Sequence, residues 1–227
     1  MLKDITVSVE NITKAFGKKR VLEGASFEAY SGECVGIIGM NGSGKTTLFN
    51  IIAAYTSSDS GTVKIYGETI TKLHSSSVLG YIPQENPLIE DLSAMDNLKL
   101  WYCDSHLNLK EELTDGVLHT LGIHEFTSTL VKNLSGGMKK RLSIGIAMAS
   151  SPKVLLLDEP GAALDIVAKE TIRTYLSTFA KDGGTVIIAT HDEEELSLCN
   201  KLLVMKDGIL KEISPSLRGK SLVKEIL

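Results

Sequence analysis

A glycine-rich segment, Gly39–Thr46, connects a short apolar run to a stretch with helical periodicity. Cys34–Ile38 is apolar throughout, which is typical of a strand covered on both faces. Lys45–Ala54 places apolar residues at helical spacing. Because a buried strand that turns through glycines into a helix is the unit of a parallel, helix-covered sheet, the segment predicts an α/β fold.

The rest of the chain alternates between strand and helix patterns. A helical pattern runs from Ser93 to about Ala149, and Ile172, Leu176 and Phe179 indicate another helix. Ser214-Pro215 predicts the N-cap and first turn of a C-terminal helix. Further strands are predicted at Ile5–Val9, Val21–Tyr30, Thr62–Tyr66, Leu79–Ile82, Val154–Leu157 and Thr185–Ala189, with a final hairpin of Lys201–Met205 and Ile209–Ile213.

The composition is that of a globular chain with one sizeable core: 227 residues, 43% of them hydrophobic. A net charge of −4 argues against nucleic acid as the main partner. The basic runs Lys18–Arg20 and Lys139–Arg141 are therefore interpreted as solvated faces. Cys34, Cys103 and Cys199 form no CxxC pair, which favours a reduced cytosolic protein over a zinc site or a disulfide framework.

No segment has the pattern of a leader or a membrane anchor. Met1–Glu10 carries charges throughout, unlike a signal peptide. No run approaches the roughly 18 apolar residues of a membrane span. A role at a membrane would therefore require docking onto another subunit.

Gly39-Met40-Asn41-Gly42-Ser43-Gly44-Lys45-Thr46 matches the phosphate-loop pattern GxxxxGK[ST]. Glycines let several amides turn toward one anion, and the N-terminal end of the next helix adds positive potential. Lys45 is predicted to bridge the outer phosphates of a nucleotide, and the Thr46 hydroxyl to ligate Mg²⁺. The structural alternative is a flexible Gly/Ser turn, which the flanking strand and helix disfavour.

The apolar strand Val154–Leu157 ends in two carboxylates, Asp158 and Glu159. Ligands in parallel sheets bind at the carboxyl ends of strands, so Asp158 is placed to hold the magnesium shell. Glu159 could take a proton from an attacking water. An acidic loop after a core strand is the alternative, which the phosphate loop in the same chain disfavours.

Ser135-Gly136-Gly137 precedes a helical stretch and forms a second candidate anion site. Ser135 is a good N-cap, and the glycines leave the first-turn amides bare. A capped helix start with flexible glycines explains the segment equally well. If both anion sites are real, a head-to-tail dimer would place each nucleotide between one chain's Gly39–Thr46 and the other chain's Ser135 loop, as we name Ser135–Gly137.

In combination, these motifs resemble the ATP-binding cassette (ABC) ATPases, across essentially the whole chain. Leu134-Ser135-Gly136-Gly137 is similar to the family signature. The resemblance implies that Phe16 stacks on adenine and that Gln84 senses magnesium, water and the membrane partner. It also implies that Asp165 communicates across a dimer and that His191 contacts the γ-phosphate.

The resemblance further implies ATP and Mg²⁺ as ligands, with Glu159 and His191 as catalytic residues and ATP hydrolysis as the activity. Mg²⁺ would be held by Thr46, Gln84 and Asp158, the last through water. ATP would be bound by Phe16, Gly39, Met40, Asn41, Gly42, Ser43, Gly44, Lys45, Thr46, Thr47 and Gln84, with Ser135, Gly136 and Gly137 acting on the partner chain's ATP.

Each residue identified by the resemblance also has a plainer interpretation. Alone, Phe16 fits a partly buried core aromatic, Gln84 a polar loop residue and His191 a structural histidine. Their order along the chain favours the functional roles. Leu98 and Trp101 are expected to pack the helical segment. The histidines that match nothing, and are expected at the surface or in packing, are His74, His106, His119 and His124.

Three positions depart from the family pattern. Met138 stands where glutamine is commonest, as in exporter-like branches with a following basic run. Gly161-Ala162-Ala163 lacks the usual hydroxyl, which would weaken communication between the two sites of a dimer. Ile166 replaces a common proline, which is expected to loosen that turn.

We expect residues 1–227 to fold as one nucleotide-binding domain. Its predicted lobes are an antiparallel β layer (about 1–35 and 61–72), a P-loop core (about 36–60 and 151–213), a helical arm (about 86–150) and a C-terminal helix (214–227).

The resemblance implies the ATPase subunit of a membrane transporter, working with a second ATPase subunit and transmembrane permeases at the cytoplasmic face of the membrane. The pattern at Met138 and the short C-terminus favour an exporter. Leu88, Ile89 and Leu92 are candidates for an apolar docking surface, with internal packing as the equal alternative.

A soluble ABC ATPase acting on DNA or ribosomes is a rival function, although the chain lacks long coiled coils or a second cassette. A P-loop kinase would not explain the Ser135 loop.

Overall fold

Short apolar runs and amphipathic helices alternate along the chain, and their packing is seen in a computed structural model that describes residues 4–71, 78–85, 87–162 and 164–227. Strands β1–β10 span Ile5–Phe16, Lys19–Tyr30, Cys34–Ile38, Ser60–Ile65, Glu68–Thr69, Leu79–Ile82, Val154–Asp158, Thr185–Ala189, Lys201–Lys206 and Ile209–Ile213. Helices α1–α8 span Lys45–Ile52, Ala94–Tyr102, Leu109–Thr114, Val117–Thr120, Gly136–Ala147, Ile166–Lys181, Glu193–Leu196 and Gly219–Ile226.

A six-stranded sheet of order β10-β9-β3-β8-β7-β6 carries the phosphate-loop segment. β3, β6, β7, β8 and β9 are parallel, and β10 closes one edge as the antiparallel arm of the predicted hairpin. Every residue of β3, β7 and β8 is buried, because both faces of the sheet are covered. The predicted α/β class is confirmed.

A second, antiparallel sheet of order β2-β1-β4-β5 covers one face of the first. Helix α1 contributes Phe49 and Ile52 to the apolar cluster between them, together with Ile12 of β1 and Ile37 of β3. All four side chains are almost completely buried. The helix that follows Gly39–Gly44 is therefore held from both sides.

The helical arm and α6 cover the opposite face. Leu98 of α2 and Leu142 of α5 are fully buried in one cluster with Leu157 of β7 and Ile188 of β8. This packing anchors α5, whose N-terminus is the Ser135 loop, on the central sheet.

The helical pattern from Ser93 to Ala149 is more interrupted than the sequence predicts. Only short 3₁₀ turns, Ile123–Glu125 and Val131–Asn133, lie between α4 and α5. Gly122 breaks the helix with a positive φ of 65°, a conformation that glycine adopts without a steric penalty.

Two predicted boundaries are wrong. β1 continues beyond Val9 to Phe16, because register shifts with β2 and β4 interrupt the alternation of buried and exposed residues. The C-terminal helix begins at Gly219 and not at Ser214, because residues 214–217 close a separate turn in which the Leu217 amide donates to the Ser214 carbonyl, 3.2 Å away.

Among the described residues, none of the helices combines the length and apolar character that crossing a bilayer requires.

Candidate functional site

The loop between β3 and α1 makes close backbone contacts that require glycine. A Cβ at Gly39 would overlap the Met205 carbonyl oxygen of β9 and lie 2.9 Å from the Ser43 hydroxyl. Gly44 is the N-cap of α1, with a φ of 109° that side chains rarely adopt. The glycine spacing is thus a steric requirement of a loop that presses on β9 and β2.

Lys45 turns its side chain back into this loop. The Nζ donates to the carbonyl oxygens of Gly39 at 2.7 Å and Met40 at 3.3 Å, and only 6% of the residue is exposed. Burial lowers the pKa of Lys45, while Glu159 and Asp158 oppose the shift. A partly desolvated cation at a helix N-terminus suits a multiply charged anion.

Ser43 supplies a further polar group that points to a ligand. Its hydroxyl oxygen is buried and has no hydrogen-bond partner among the described residues. Buried polar atoms are rarely left unpaired, and a bound phosphate oxygen would satisfy this one. The donors of this loop therefore fit the predicted phosphate ligand.

Thr46 and Asp158 face each other where α1 meets the end of β7. The Thr46 hydroxyl donates to the Asp158 carboxylate at 2.6 Å, and Asp158 is 1% exposed. Burial raises the pKa of Asp158, and the hydrogen bond from Thr46 opposes this rise. Hydroxyl and carboxylate oxygens are the hard ligands that Mg²⁺ prefers, so the donor set fits the predicted magnesium ion.

Glu159 leaves β7 in a left-handed backbone conformation, with φ at 48°. Its amide donates to the Ala189 carbonyl of β8 at 2.8 Å, which holds the turn in place. Its carboxylate accepts from the Gln84 side-chain amide at 3.4 Å and lies 3.8 Å from His191 Nε2. Strained residues of this kind cluster at functional sites, a signal that the sequence did not carry.

His191 follows β8 and meets both charged groups of the site. Its Nε2 lies 3.4 Å from Lys45 Nζ, and its side chain is 44% exposed. The pKa of His191 is lowered by burial and then by the Lys45 charge, while Glu159 opposes the shift. A neutral imidazole can accept one hydrogen bond and donate another to a ligand oxygen.

Phe16 lies at the end of β1 and is 54% exposed, so the interpretation as a partly buried core aromatic is wrong. It pairs with Lys19 at the start of β2. Two residues further along β2, Val21 contacts the phosphate loop: a Cβ on Gly44 would lie 3.0 Å from the Val21 carbonyl oxygen. The ring is thus accessible near the phosphate loop.

The Ser135 loop lies against Asp165 of its own chain. The Ser135 hydroxyl accepts from the Met138 amide at 3.2 Å, as predicted for an N-cap. A Cβ on Gly137 would lie 3.5 Å from the Asp165 carboxylate. Across the described ranges, no hydrogen bond or ion pair joins residues 135–137 to residues 39–47. One chain therefore brings together Lys45, Thr46, Gln84, Asp158, Glu159 and His191 but not the Ser135 loop.

Lys140 corrects the expectation of a solvated basic face. Lys18–Arg20 is exposed, but Lys140 is 3% exposed and Arg141 is half-buried. Lys140 Nζ donates to the carbonyl oxygens of Pro83 at 2.9 Å and Gln84 at 3.1 Å. The sequence does not reveal that Lys140 is buried, because adjacent lysines on a helix point in different directions.

Glu195 is a second buried residue that sequence reasoning missed. It is 3% exposed and accepts a hydrogen bond from the Thr190 hydroxyl, beside His191. A Cβ at Gly161 would collide with its carboxylate. Glu195 thus packs the segment before His191 against the turn that leads to Asp165.

The remaining predictions divide. Leu98 is buried as expected, whereas Trp101 is 54% exposed and does not pack the core. The sequence separates Cys34 from Cys199, yet their buried sulfurs lie 3.6 Å apart as free thiols. His106 contacts Ser151, His119 stacks on His124, and His74 lies outside the described residues.

The sequence and the structure of this chain are similar to those of known proteins. The family model for ABC transporters matches residues 22–162. The linearmycin resistance ATP-binding protein of Bacillus subtilis is 34% identical over 89% of this chain and 67% of its own length. The Nod factor export ATP-binding protein I of Burkholderia lata is 34% identical over 89% and 68%. A solved ATP-binding cassette, a dimeric post-hydrolysis state bound to ADP and Pi, is 29% identical with a TM-score of 0.81 over 94% of this chain and 99% of that chain.

Proposed function

Because the chain belongs to the ATP-binding proteins of ABC transporters and is an ATPase of that family, we propose that it powers an exporter. The observation that carries the site assignment is the convergence of Lys45, Asp158, Glu159 and His191 at the carboxyl ends of β3, β7 and β8. In this proposal the whole chain acts as one nucleotide-binding domain.

The phosphate loop binds ATP through its amides and Lys45. The Ser43 hydroxyl, buried and unpaired in the described structure, donates to a phosphate oxygen. Lys45 exchanges its bonds to the Gly39 and Met40 carbonyls for the outer phosphates. Exposed Phe16 offers its ring to the adenine face.

In this proposal Thr46 and Gln84 would hold Mg²⁺ directly, and Asp158 would hold it through water. When bound, the ion neutralises phosphate charge that develops during transfer. The Thr46 hydroxyl and Asp158 carboxylate are already in contact at 2.6 Å. Gln84 reaches the same region through its contact with Glu159.

Glu159 acts as the general base in this proposal. Its carboxylate accepts a proton from the water that attacks the γ-phosphate, a role worth roughly 10²–10⁴-fold in rate. Gln84 orients that carboxylate, and neutral His191 faces the γ-phosphate from the Lys45 side. Glu159 and His191 both border the position that this phosphate would occupy.

A second cassette subunit completes the site by contributing its own Ser135 loop. Within one chain this loop lies against Asp165 and makes no polar contact with the phosphate loop among the described residues. Its capped helix start leaves amides available for another chain's γ-phosphate. ATP then closes a head-to-tail dimer, and hydrolysis opens it.

Export through membrane permease subunits is supported by the relatives, one named for Nod factor export and one for linearmycin resistance. Permeases would hold the chain at the cytoplasmic face of the membrane. Ile89, five residues after Gln84 in the sequence, is 50% exposed and is the best-placed of the predicted docking residues, since Leu88 and Leu92 are half-buried.

The test is phosphate release from ATP with no acceptor substrate, which separates an ATPase from a kinase. Lys45→Ala should lose ATP binding, because it removes the buried cation. Glu159→Gln should keep ATP binding and lose about 10²–10⁴-fold in turnover. Unchanged ATP affinity in Lys45→Ala would refute the phosphate-loop assignment, and near-normal turnover in Glu159→Gln would remove Glu159 as the base.

A further inference from the structure

Lys140 joins helix α5 to the backbone at Pro83 and Gln84. It lies in the second turn of α5, whose N-terminus is the Ser135 loop. Its Nζ donates to the Pro83 carbonyl at 2.9 Å and to the Gln84 carbonyl at 3.1 Å. These carbonyls belong to the backbone that carries the Gln84 side chain to Glu159.

The position of Lys140 is costly for a lysine. The residue is 3% exposed, and burial lowers its pKa to about 8, although Asp158 and Glu195 attract the cation. Burying an amine is tolerated when hydrogen bonds replace its hydration. The two carbonyls provide that replacement, so the observed position of α5 beside Gln84 satisfies the buried amine.

A rigid helix carries this contact to the Ser135 loop. Lys140 lies five positions after Ser135, a rise of about 7.5 Å along the helix. At the other end, the Gln84 amide lies 3.4 Å from the Glu159 carboxylate. A rigid-body movement of α5 would therefore reach the Gln84 backbone through Lys140.

We propose that Lys140 is a positioning residue that ties Gln84 to the Ser135 helix, so that engagement of a partner's nucleotide by the Ser135 loop sets the place of Gln84 beside Glu159. This inference rests on the proposed ATP-driven dimer. Lys140 touches neither nucleotide and acts through the Gln84 backbone. It gives each nucleotide site a mechanical link to the other.

The experiment is a double-mutant cycle on ATP hydrolysis with Lys140→Met and Gln84→Ala. Methionine replaces the apolar stem of lysine at nearly the same size but lacks the terminal amine and cannot donate a hydrogen bond. Lys140→Met should lower kcat about 10-fold or more, keep ATP affinity within about 3-fold, and bring the Hill coefficient for ATP toward 1. In the Gln84→Ala background it should add no further loss, because the side chain that it positions is gone.

The neighbouring Lys139→Met is the matched control. Lys139 makes an ion pair with Glu90 at 2.8 Å, and in the described part of the chain it makes no hydrogen bond or ion pair with Pro83 or Gln84, so the kcat and Hill coefficient of this variant should match the wild type. Lys140→Gln, which restores a shorter donor, should recover part of the loss. If Lys140→Met does not fold, Lys140→Gln takes its place in the cycle.

Independent, multiplicative effects of the Lys140 and Gln84 substitutions would overturn the proposal, as would normal kcat in a folded Lys140→Met. A wild-type chain that does not hydrolyse ATP at all would instead refute the proposed function. The two failures are therefore distinguishable.

Discussion

Glu159 shows how the fold imposes strain on one residue to aim its side chain. Its φ of 48° lies in a region that costs a residue with a Cβ about 1–2 kcal/mol. The hydrogen bond from its amide to the Ala189 carbonyl retains that conformation. As a result the carboxylate faces Gln84 and His191 and does not point into solvent.

We expect Glu159→Gly to be more stable than Glu159→Ala by about 1 kcal/mol, because glycine adopts positive φ without the steric cost. Both variants remove the carboxylate, so the loss of its contacts cancels in the comparison. Urea unfolding of the two variants measures the difference. Equal stabilities would show that the turn relaxes when the side chain is removed.

The turn into helix α6 is ordered by a cap and not by a proline. Asp165 accepts from the Ala168 amide at 2.8 Å and has an extended backbone, with φ −69° and ψ 164°. Ile166 is the first helical residue and is 81% exposed. The missing proline is expected to loosen this turn, but the hydrogen bond from the Ala168 amide to Asp165 stabilises it.

Ile166→Pro should stabilise the nucleotide-free protein by about 0.5–1 kcal/mol. Proline suits the first helical position, and the extended Asp165 is compatible with a following proline. Val167→Pro is the matched control at an equally exposed site, and it should destabilise because it disfavours the helical conformation of Ile166. Thermal unfolding of both variants tests this, and destabilisation by Ile166→Pro would contradict it.

The proposed dimer rests on two clusters of residues that lie apart within one chain. In the proposal, the phosphate loop with Asp158, Glu159 and His191 is one half of a nucleotide site, and the Ser135 loop beside Asp165 is the other. Ile166 and Val167 next to that second half are largely exposed apolar residues. A head-to-tail pair would bring each half to its complement.

In the Glu159→Gln background we expect ATP to drive dimerisation, measured by sedimentation. Two further variants each add one substitution to this background, Lys45→Ala in one and Ser135→Arg in the other. Neither should form an ATP-dependent dimer by itself. Mixing these two variants should restore a dimer, because the pair contains one complete site: an intact phosphate loop from one chain and an intact Ser135 loop from the other. This complementation requires the head-to-tail arrangement.

If each chain completed its own nucleotide site, mixing the Lys45→Ala and Ser135→Arg variants would not restore the dimer. Lys18→Ala, on the exposed basic run, serves as the control and should dimerise normally. A dimer that forms equally without ATP would also contradict the proposal.

Local patterns sufficed for much of this molecule. The run of Cys34–Ile38, the glycines after it and the helix from Lys45 lie consecutively in the chain, so the spacing of residue types predicted their structure. The strand that ends at Asp158 was predicted for the same reason. β1 was underestimated because pairing with two other strands, and not its own alternation, defines its length.

Contacts between distant segments were beyond such patterns. The sequence alone determined the α/β class, the glycine-rich turn from β3 into α1 and the two carboxylates at the end of β7, since each depends on neighbouring residues. The burial of Lys140 on the Gln84 carbonyls, the pairing of Thr46 with Asp158 and the left-handed Glu159 each depend on segments that packing brings together. Folding determines these features because they arise from the sheet order and from the packing of α5 against β6.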